Sequence, residues 1–239
     1  MKVGYLGPKG TFSYEACSEY CTGNQEKIEY KTIPETIIAL DNNEIDECIV
    51  PIENSLQGCV TDAIDTLIQK KSIKVKKEVL IEIKQNLMVK SIYFDDIEIV
   101  YSHPQALAQC KNFLEKNLPK AKQISVESTA YAAQKISQGE ELAACICNMS
   151  CLDEYNLKLL KENIQDNNFN KTKFWVLSKN ENIEGNCRKM SMIFSVKDKP
   201  GALYSVLEIF NKYNLNLTKI ESRPAKTVLG EYYFLIDVS

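Results

Sequence analysis

The feature that most constrains the fold of this 239-residue chain is a short apolar strand, a polar turn and a helix, repeated along its first 160 residues. The predicted strands span residues 2–6, 28–32, 47–52, 97–101, 122–126 and 143–147. Strands that alternate with helices are typical of α/β proteins with mainly parallel sheets. Because ligands of such sheets bind beyond the carboxyl ends of the strands, the polar turns are candidate binding positions.

A longer alternating segment over residues 75–90 interrupts this order. Apolar side chains recur at every second residue in two runs, one starting at Val79 and one at Leu87. Such a long extended segment predicts a crossing between two lobes, and a buried strand over residues 174–177 predicts the return. The expected lobes are residues 1–75 with 160–182, and residues 76–159.

Charge and composition narrow the class of partner. The chain has 29 basic and 32 acidic residues, a formal charge of −3 and no block of basic residues, so nucleic acid and anionic membranes are not expected as partners. No apolar run reaches the roughly 18 residues of a membrane-spanning helix, and residues 1–6 lack the features of a signal peptide. The sequence therefore predicts a cytoplasmic globular protein with a small-molecule ligand.

The chain contains nine cysteines, which can indicate a metal site, a reactive thiol or core packing. Cys145, Cys147 and Cys151 are close in sequence, but no C-x-x-C spacing occurs, and the single histidine, His103, is far away. A metal site is therefore not expected. We interpret the cysteines as reduced and mostly buried.

Four polar segments contain the side chains from which a site can be formed. They are GPKGTFS at residues 7–13, PIENS at 51–55, SHPQ at 102–105 and NKTKF at 170–174. The first three join a predicted strand to a predicted helix, and the fourth is predicted as a loop ahead of a buried strand. Each also has a purely structural interpretation: a tight turn, a helix cap by Asn54 or Ser55, a hydrogen-bonding role for His103, and an Asn-rich turn.

In this order the four segments resemble the motifs of the prephenate dehydratase family, over residues 1–182. The resemblance implies two α/β lobes like those of periplasmic binding proteins, with the active site in the cleft and no metal or organic cofactor. It also implies that Thr172 is essential to the reaction. Lys173 stands where the family usually has arginine. A lysine is a point charge without the two-pronged geometry of arginine, so retuned activity is expected.

The residues of the expected site follow from the same resemblance. The expected catalytic and orienting residues are Asn54, Ser55, Ser102, His103, Gln109, Thr172, Lys173 and Phe174. The expected substrate-binding residues are Gly10, Thr11, Ser13, Glu53, Gln105 and Asn170. The hydroxyl of Thr172 is the expected donor to a departing hydroxyl group, while the other groups hold and orient the substrate.

Residues 188–239 have a separate pattern of strand, helix, strand and strand. Two segments, KPGAL at 199–203 and ESRP at 221–224, resemble the phenylalanine-site motifs of the ACT regulatory domain. The resemblance implies a ferredoxin-like α+β domain in a homodimer or homotetramer. Because an ACT domain has the order βαββαβ, the sequence to Ser239 is expected to lack its last helix and strand. The expected phenylalanine-binding residues are Gly201, Ala202, Leu203, Glu221, Ser222, Arg223 and Pro224.

Two functions from different classes fit these observations. The resemblance implies a lyase that converts prephenate to phenylpyruvate by decarboxylating dehydration, in phenylalanine biosynthesis, under feedback control by L-phenylalanine. The alternative is a non-catalytic two-lobed binding protein or amino-acid sensor, which Lys173 and the short C-terminal region favour. Thr172 and the complete set of four motifs favour the enzyme.

Overall fold

The computed structural model describes all residues except Ile92 and residues 140–141, 181–188 and 226–230. The strands are β1 (Lys2–Leu6), β2 (Glu26–Tyr30), β3 (Glu47–Asn54), β4 (Gly58–Cys59), β5 (Lys74–Glu82), β6 (Asn86–Val89), β7 (Ile99–Ser102), β8 (Lys122–Ser125), β9 (Ala143–Cys147), β10 (Lys158–Lys161), β11 (Lys171–Ser178), β12 (Met190–Ser195), β13 (Leu217–Pro224) and β14 (Tyr232–Val238). The helices are α1 (Phe12–Tyr20), α2 (Ile33–Asp41), α3 (Thr61–Leu67), α4 (Pro104–Gln109), α5 (Lys111–Asn117), α6 (Thr129–Ser137), α7 (Cys151–Glu154) and α8 (Ala202–Lys212), and a 3-10 turn lies at Phe94–Asp96.

The described residues form two compact units. The first comprises Met1–Ile64 and Ser72–Lys179, and the second comprises Asp65–Lys71 and Asn180–Ser239. The predicted domain boundaries at residues 182 and 188 lie outside the described residues. No described helix is both long and apolar enough to span a membrane.

One sheet of the first unit has the order β2-β1-β3-β11-β5, with β4 beside β3. The strands β1, β2 and β3 run parallel, and β11 is antiparallel to both of its neighbours. The face that α1 covers is apolar, because Tyr5, Ile49, Phe174 and Val176 pack there against Cys17 of α1. We call this sheet and its helices the first lobe.

The second sheet of the first unit has the order β10-β6-β9-β7-β8. It supports the second lobe, in which α4 and α5 pack on one face through Leu107 and Leu114. On the other face α6 packs through alanines and Ile136. The predicted single helix after residue 104 is divided at Cys110, whose φ of −115° and ψ of 18° are not helical.

Two polar side chains cap the helices that follow them. Thr32 accepts a hydrogen bond from the backbone N–H of Glu35 at 3.2 Å and caps α2, as an N-cap threonine is expected to do. Ser128 caps α6 by accepting from the backbone N–H of Tyr131 at 2.9 Å. These caps fix the points at which the chain leaves the preceding loops and enters each helix.

The chain passes between the two lobes twice, at positions other than those predicted. We call residues 83–85 the first crossover and residues 162–170 the second crossover. The segment over residues 75–90 is two strands: β5 pairs with β11 in the first lobe, and β6 pairs with β9 and β10 in the second. The lobe boundaries therefore lie between Glu82 and Asn86 and between Lys161 and Lys171, and the expected boundaries near residues 75 and 160 are corrected. The alternation expected over residues 75–90 holds for the end of β5 but not for β6, whose four residues are all buried.

The expectation of mainly parallel sheets is also corrected. Each sheet contains three mutually parallel strands, namely β1 to β3 in the first lobe and β7 to β9 in the second. The remaining main strands are antiparallel because the crossovers enter and leave each lobe along them. The sheets are therefore mixed, and in the first lobe the crossover strand β11 lies between β3 and the other crossover strand, β5.

The second unit contains a three-stranded antiparallel sheet with the order β12-β14-β13. The helix α8 covers one face of the sheet, where Phe210 packs against Ile236 and Val238. Gly201 precedes α8 with a φ of 80°, a left-handed conformation that favours glycine. The order of strand, helix, strand and strand agrees with the prediction from the sequence.

Candidate active site

Thr172 lies at the centre of a buried polar cluster between β3 and β11. Its partner across the strands is Asn54, and the two side chains are only 8% and 7% exposed. The Nδ2 group of Asn54 donates to Thr172 Oγ1 at 2.9 Å and to Asn170 Oδ1 at 2.8 Å. The polar loop predicted ahead of residue 174 is thus partly strand, because β11 already begins at Lys171.

The orientation of the Asn54 amide is fixed by its own backbone. Its Oδ1 atom accepts hydrogen bonds from the N–H groups of Leu56 at 3.0 Å and Gln57 at 3.1 Å. Since only the oxygen can accept these bonds, the NH₂ group must face Thr172. Thr172 Oγ1 is consequently the acceptor in that bond, and its own hydrogen is left to donate to another group.

Ser55 and Asn170 tie the turn after β3 to the segment before β11. The Ser55 hydroxyl donates to the carbonyl of Phe169 at 3.2 Å and accepts from the N–H of Lys171 at 3.0 Å. The carbonyl of Asn170 accepts from the N–H of Ile83 at 2.9 Å. Ser55 therefore stabilises the site through backbone contacts, and Asn170 links the Thr172 cluster to the first crossover.

Lys173 forms an ion pair with Glu53 on the neighbouring strand, with 2.9 Å between Nζ and Oε2. The two side chains are 20% and 33% exposed. The ammonium group offsets the charge of Glu53, which would otherwise repel an anionic ligand.

Phe174, which was expected in the site, is instead 1% exposed and packs in the core of the first lobe. A register shift between Lys173 and Phe174 separates the polar end of β11 from its buried part.

The segment at residues 7–13 contributes a second set of groups. Thr11 caps α1, because its hydroxyl accepts from the N–H of Tyr14 at 3.2 Å and donates to the carbonyl of Leu6 at 3.1 Å. Gly10 has a φ of 85°, and a Cβ there would lie 3.0 Å from the Sγ atom of Cys151. Ser13 is buried in the first turn of α1. Both the turn and the cap are therefore required by the fold.

This segment also contacts the second lobe. The thiol of Cys151 donates to the carbonyl of Gly10 at 3.1 Å, and the hydroxyl of Tyr155 donates to the carbonyl of Lys9 at 2.7 Å. Nearby, Asn148 donates to a carboxylate oxygen of Glu15 at 3.2 Å. Burial raises the pKa of Glu15, and Glu19 raises it further. Contacts between the lobes that sequence reasoning missed therefore hold the glycine-rich turn in place.

The polar groups after β7 have distinct roles. Ser102 is fully buried, and its hydroxyl donates to the carbonyl of Ile146 at 2.6 Å, so it stabilises the sheet from within. His103 caps α4 by accepting at Nδ1 from the N–H of Gln105 at 3.3 Å. Burial lowers the pKa of His103, which favours the neutral imidazole. His103 thus has the hydrogen-bonding role of its structural interpretation, in the form of a helix cap.

Gln109 ends α4 beside both crossovers. Its side-chain oxygen accepts from Nε2 of Gln85 at 3.3 Å, and its carbonyl accepts from the N–H of Asp166 at 2.7 Å. Sequence reasoning missed Gln85. The available signal was the pair Gln85 and Asn86, which interrupts the alternation between the two apolar runs.

The thiols show no features of a metal site. Among the described residues, no group of three or more His, Cys, Asp or Glu side chains is arranged to hold a metal ion. Seven of the eight described cysteines, all but Cys59, are free and buried. Burial raises the pKa of Cys110 to about 12 and that of Cys48 further, which makes them poor nucleophiles.

In the second unit, the two expected phenylalanine-site segments lie at the start of α8 and the end of β13. The guanidinium group of Arg223 forms two hydrogen bonds with the carboxylate of Asp65, at 3.0 and 3.1 Å. Both residues belong to the second unit. Arg223 is therefore held by a carboxylate of the chain itself.

Two mixed α/β lobes joined by two crossovers, with polar groups gathered beside the crossovers, define the class of protein: a two-lobed fold of the periplasmic-binding type, followed by a smaller α+β domain. Residues 3–182 match the family model described as prephenate dehydratase, and residues 191–239 match the ACT domain. The chain belongs to the prephenate dehydratase family. The family and the fold class expected from the sequence are confirmed.

Similar proteins cover the whole chain. It is 39% identical over 238 residues to a bifunctional chorismate mutase/prephenate dehydratase of Aquifex aeolicus, of which it spans 65%. It is 40% identical over 251 residues to a prephenate dehydratase of Bacillus subtilis, of which it spans 88%. A crystal structure of prephenate dehydratase in complex with L-Phe from Arthrobacter aurescens superposes with a TM-score of 0.91 at 29% identity, covering all of this chain and 80% of the other.

Proposed function

We propose that the chain converts prephenate to phenylpyruvate with loss of carbon dioxide and water. The observation that carries this proposal is the hydroxyl of Thr172, whose oxygen is held by Asn54 and whose hydrogen is left to donate. The identity of the substrate is inferred from membership of the family. The buried cluster contains a hydrogen-bond donor of the kind that this reaction needs. A cytoplasmic location is part of the proposal, because the described free thiols suit a reducing compartment.

The chemistry needs positioning more than a reactive group. As the bond between the ring and the carboxylate breaks, its electron pair enters the ring, and the ring hydroxyl departs from the opposite carbon. Thr172 donates its proton as the carbon–oxygen bond breaks, so that water leaves, and solvent then restores the threonine hydroxyl. A threonine hydroxyl is a weak acid, so donation in step with bond cleavage suits it better than prior ionisation. Aromatisation of the ring provides much of the driving force.

The remaining polar groups hold the substrate's two carboxylates. In the first lobe, Asn170 has its side-chain oxygen bound by Asn54, which leaves its NH₂ group as a donor. Gln109 is in the same situation in the second lobe, because Gln85 binds its oxygen. Correct placement of the reacting groups alone lowers a barrier by about 7 to 11 kcal/mol in favourable cases. We assign Lys173 to neutralisation of Glu53, which keeps this carboxylate from repelling the anionic substrate.

The proposal extends to regulation by L-phenylalanine in a homodimer or homotetramer. Its support is the ACT family match and the left-handed Gly201 at the start of α8, a helix start that no side chain of its N-cap residue occupies. A valine at this φ is strained whatever the available space. Calorimetry with L-phenylalanine should therefore give a heat of binding for the unmodified chain and a weaker one for Gly201→Val. Equal heats would place the ligand elsewhere.

An assay of the purified chain with prephenate tests the main proposal. Phenylpyruvate absorbs in the ultraviolet, so its formation is followed directly. The enzyme is expected to produce it at a rate proportional to protein concentration. If prephenate binds but no phenylpyruvate forms above the uncatalysed rate, the chain is a binding protein or sensor instead.

A further inference from the structure

Gln85 lies in the first crossover, between β5 and β6, and belongs to none of the four polar segments. The residue is 2% exposed. Its Nε2 group donates to Gln109 Oε1 at 3.3 Å, and its Oε1 atom is buried without a hydrogen-bond partner among the described residues. A buried amide with an unpaired oxygen requires an explanation, because such a group destabilises the folded state.

The backbone of Gln85 does not depend on this side chain. Its carbonyl accepts from the N–H of Ile164 at 2.9 Å, and its N–H donates to Oε1 of Gln165 at 2.9 Å. The second crossover therefore holds the first one through the main chain of Gln85. An apolar side chain of similar length would leave these bonds intact and would remove the unpaired buried oxygen. The amide is thus not explained by the stability of the crossover.

The one described partner of the Gln85 amide is Gln109. With the Gln109 oxygen engaged by Gln85, its NH₂ group points the other way. Reversing both amides would keep the bond but would bury the Gln85 NH₂ group without an acceptor, which is rarer than a buried oxygen without a donor, so the first orientation is favoured. Gln109 is half-buried, and its Nε2 is not among the buried unpaired atoms of the described residues, so it is accessible to solvent. In the reverse orientation the amide would present a carbonyl oxygen, which repels an anion.

The crossovers place Gln109 near the Thr172 cluster along a short chain of contacts. The Gln109 carbonyl accepts from Asp166 in the second crossover, and that crossover ends at Asn170, next to β11. The Asn170 carbonyl in turn accepts from the N–H of Ile83, two residues before Gln85. The same two crossovers thus support the amide of Gln109 and the amides around Thr172.

We propose that Gln85 is a positioning residue, which holds the side chain of Gln109 so that its NH₂ group binds a carboxylate of the substrate. The inference rests on the proposed dehydratase function, since it assigns a role in binding that substrate. Gln85 itself does not touch the substrate. It acts by fixing which end of the Gln109 amide is presented.

The variant Gln85→Met separates this role from a structural one. We expect the Tm to stay the same or rise, because an unpaired polar atom is removed, while KM for prephenate rises and kcat/KM falls about tenfold. The matched control is Gln123→Met on β8, an exposed position of the same type, which should change neither quantity. If Gln85→Met keeps kcat/KM within about twofold of the unmodified enzyme, the proposal is wrong. If Gln85→Met does not fold, Gln85→Leu is used with the same expected outcomes.

A double-mutant cycle tests whether Gln85 acts through Gln109. We expect Gln109→Met to lower kcat/KM at least as much as Gln85→Met, and the double variant to lose no more than Gln109→Met alone. Losses that multiply would mean that Gln85 acts independently and would overturn the proposal. If Gln109→Met alone has no effect, the positioning role is excluded while the dehydratase reaction stands. If the unmodified chain produces no phenylpyruvate, the proposed function fails instead.

Discussion

In the first lobe, Thr172 and Asn54 on two adjacent strands form one hydrogen-bonded cluster with Asn170, the residue before β11, whereas in the second lobe the expected site residues are held separately. Ser102 is directed into the sheet and Gln109 is held from the crossover. The strand pairing sets Thr172 opposite Asn54, which suits a hydroxyl that must donate in one direction, and we assign the chemistry to this cluster. Gln109 of the second lobe is held from the crossovers, and we assign to it the recognition of substrate.

The largest effect is expected for a change of Thr172, in the cluster of the first lobe. Thr172→Ala should lower kcat by at least about a hundredfold, the effect typical of a lost proton donor. Folding should change little, because the neighbouring bond from Asn54 to Asn170 persists. Steady-state kinetics with thermal denaturation as a control measure both quantities. A variant that turns over prephenate at the unaltered rate would reassign Thr172 to a structural position.

Asn54→Asp tests the direction of the hydrogen bond between Asn54 and Thr172, because it reverses that bond. An aspartate still accepts from Leu56 and Gln57, but it cannot donate, so the hydroxyl of Thr172 must donate to it and is lost to the substrate. We expect kcat to fall about tenfold to a hundredfold.

The matched control for this variant is Asn170→Asp, which adds the same charge next to Thr172 but keeps the bond from Asn54 to Thr172. It should raise KM more than it lowers kcat, because its carboxylate repels the substrate. Equal losses of kcat in both variants would mean that charge, and not the direction of the hydrogen bond, causes the effect.

Ser102→Ala tests the second lobe. Removing its hydroxyl leaves the buried carbonyl of Ile146 without this bond, so the free energy of unfolding should fall by about 1 to 3 kcal/mol. We expect kcat of the folded protein to fall much less than in Thr172→Ala. Denaturant unfolding and kinetics at a temperature below the transition separate the two effects. A loss of kcat as large as that of Thr172→Ala in a folded protein would give Ser102 a role in catalysis.

The smallest effect is expected for Lys173→Arg. A guanidinium group can keep the ion pair with Glu53 and add a second donor, so kcat/KM should stay the same or rise by a few-fold. The control is Lys171→Arg. Lys171 lies on the same strand as Lys173, but it is exposed and pairs with Glu82 instead of Glu53. A large loss of activity in Lys173→Arg alone would show that the site is fitted to the smaller ammonium group.

The sequence predicted the elements well where the signal was local. The strand predicted over residues 143–147 agrees with β9 at Ala143–Cys147, because its apolar run consists of five adjacent residues. The first lobe boundary was misplaced because residues 75–90 were interpreted as one alternating segment, whereas β6 is buried at all four positions and does not alternate. The pairing of β5 with β11, about a hundred residues later in the chain, shows that β5 belongs to the first lobe.

The site was predicted less completely, because its contacts join distant residues. Phe174 belonged to the right motif, but it is two residues after Thr172 on a regularly alternating strand and lies in the core of the first lobe, where it packs against apolar residues of other strands. Gln85 and Gln109 are 24 residues apart, and their contact exists only because the crossover passes the end of α4. Asn54 was found because the resemblance pointed to it, whereas its bonds to the side chains of Asn170 and Thr172 required the strand pairing.

The most direct test of the central claim, that the hydroxyl of Thr172 is the group that donates, compares Thr172→Val with Thr172→Ser. Valine keeps the shape and the strand preference of threonine but has no hydroxyl, while serine keeps the hydroxyl and loses the methyl group. With prephenate in excess, we predict that Thr172→Val loses at least about a hundredfold in kcat and that Thr172→Ser loses less than about tenfold. Equal rates in the two variants would contradict the account.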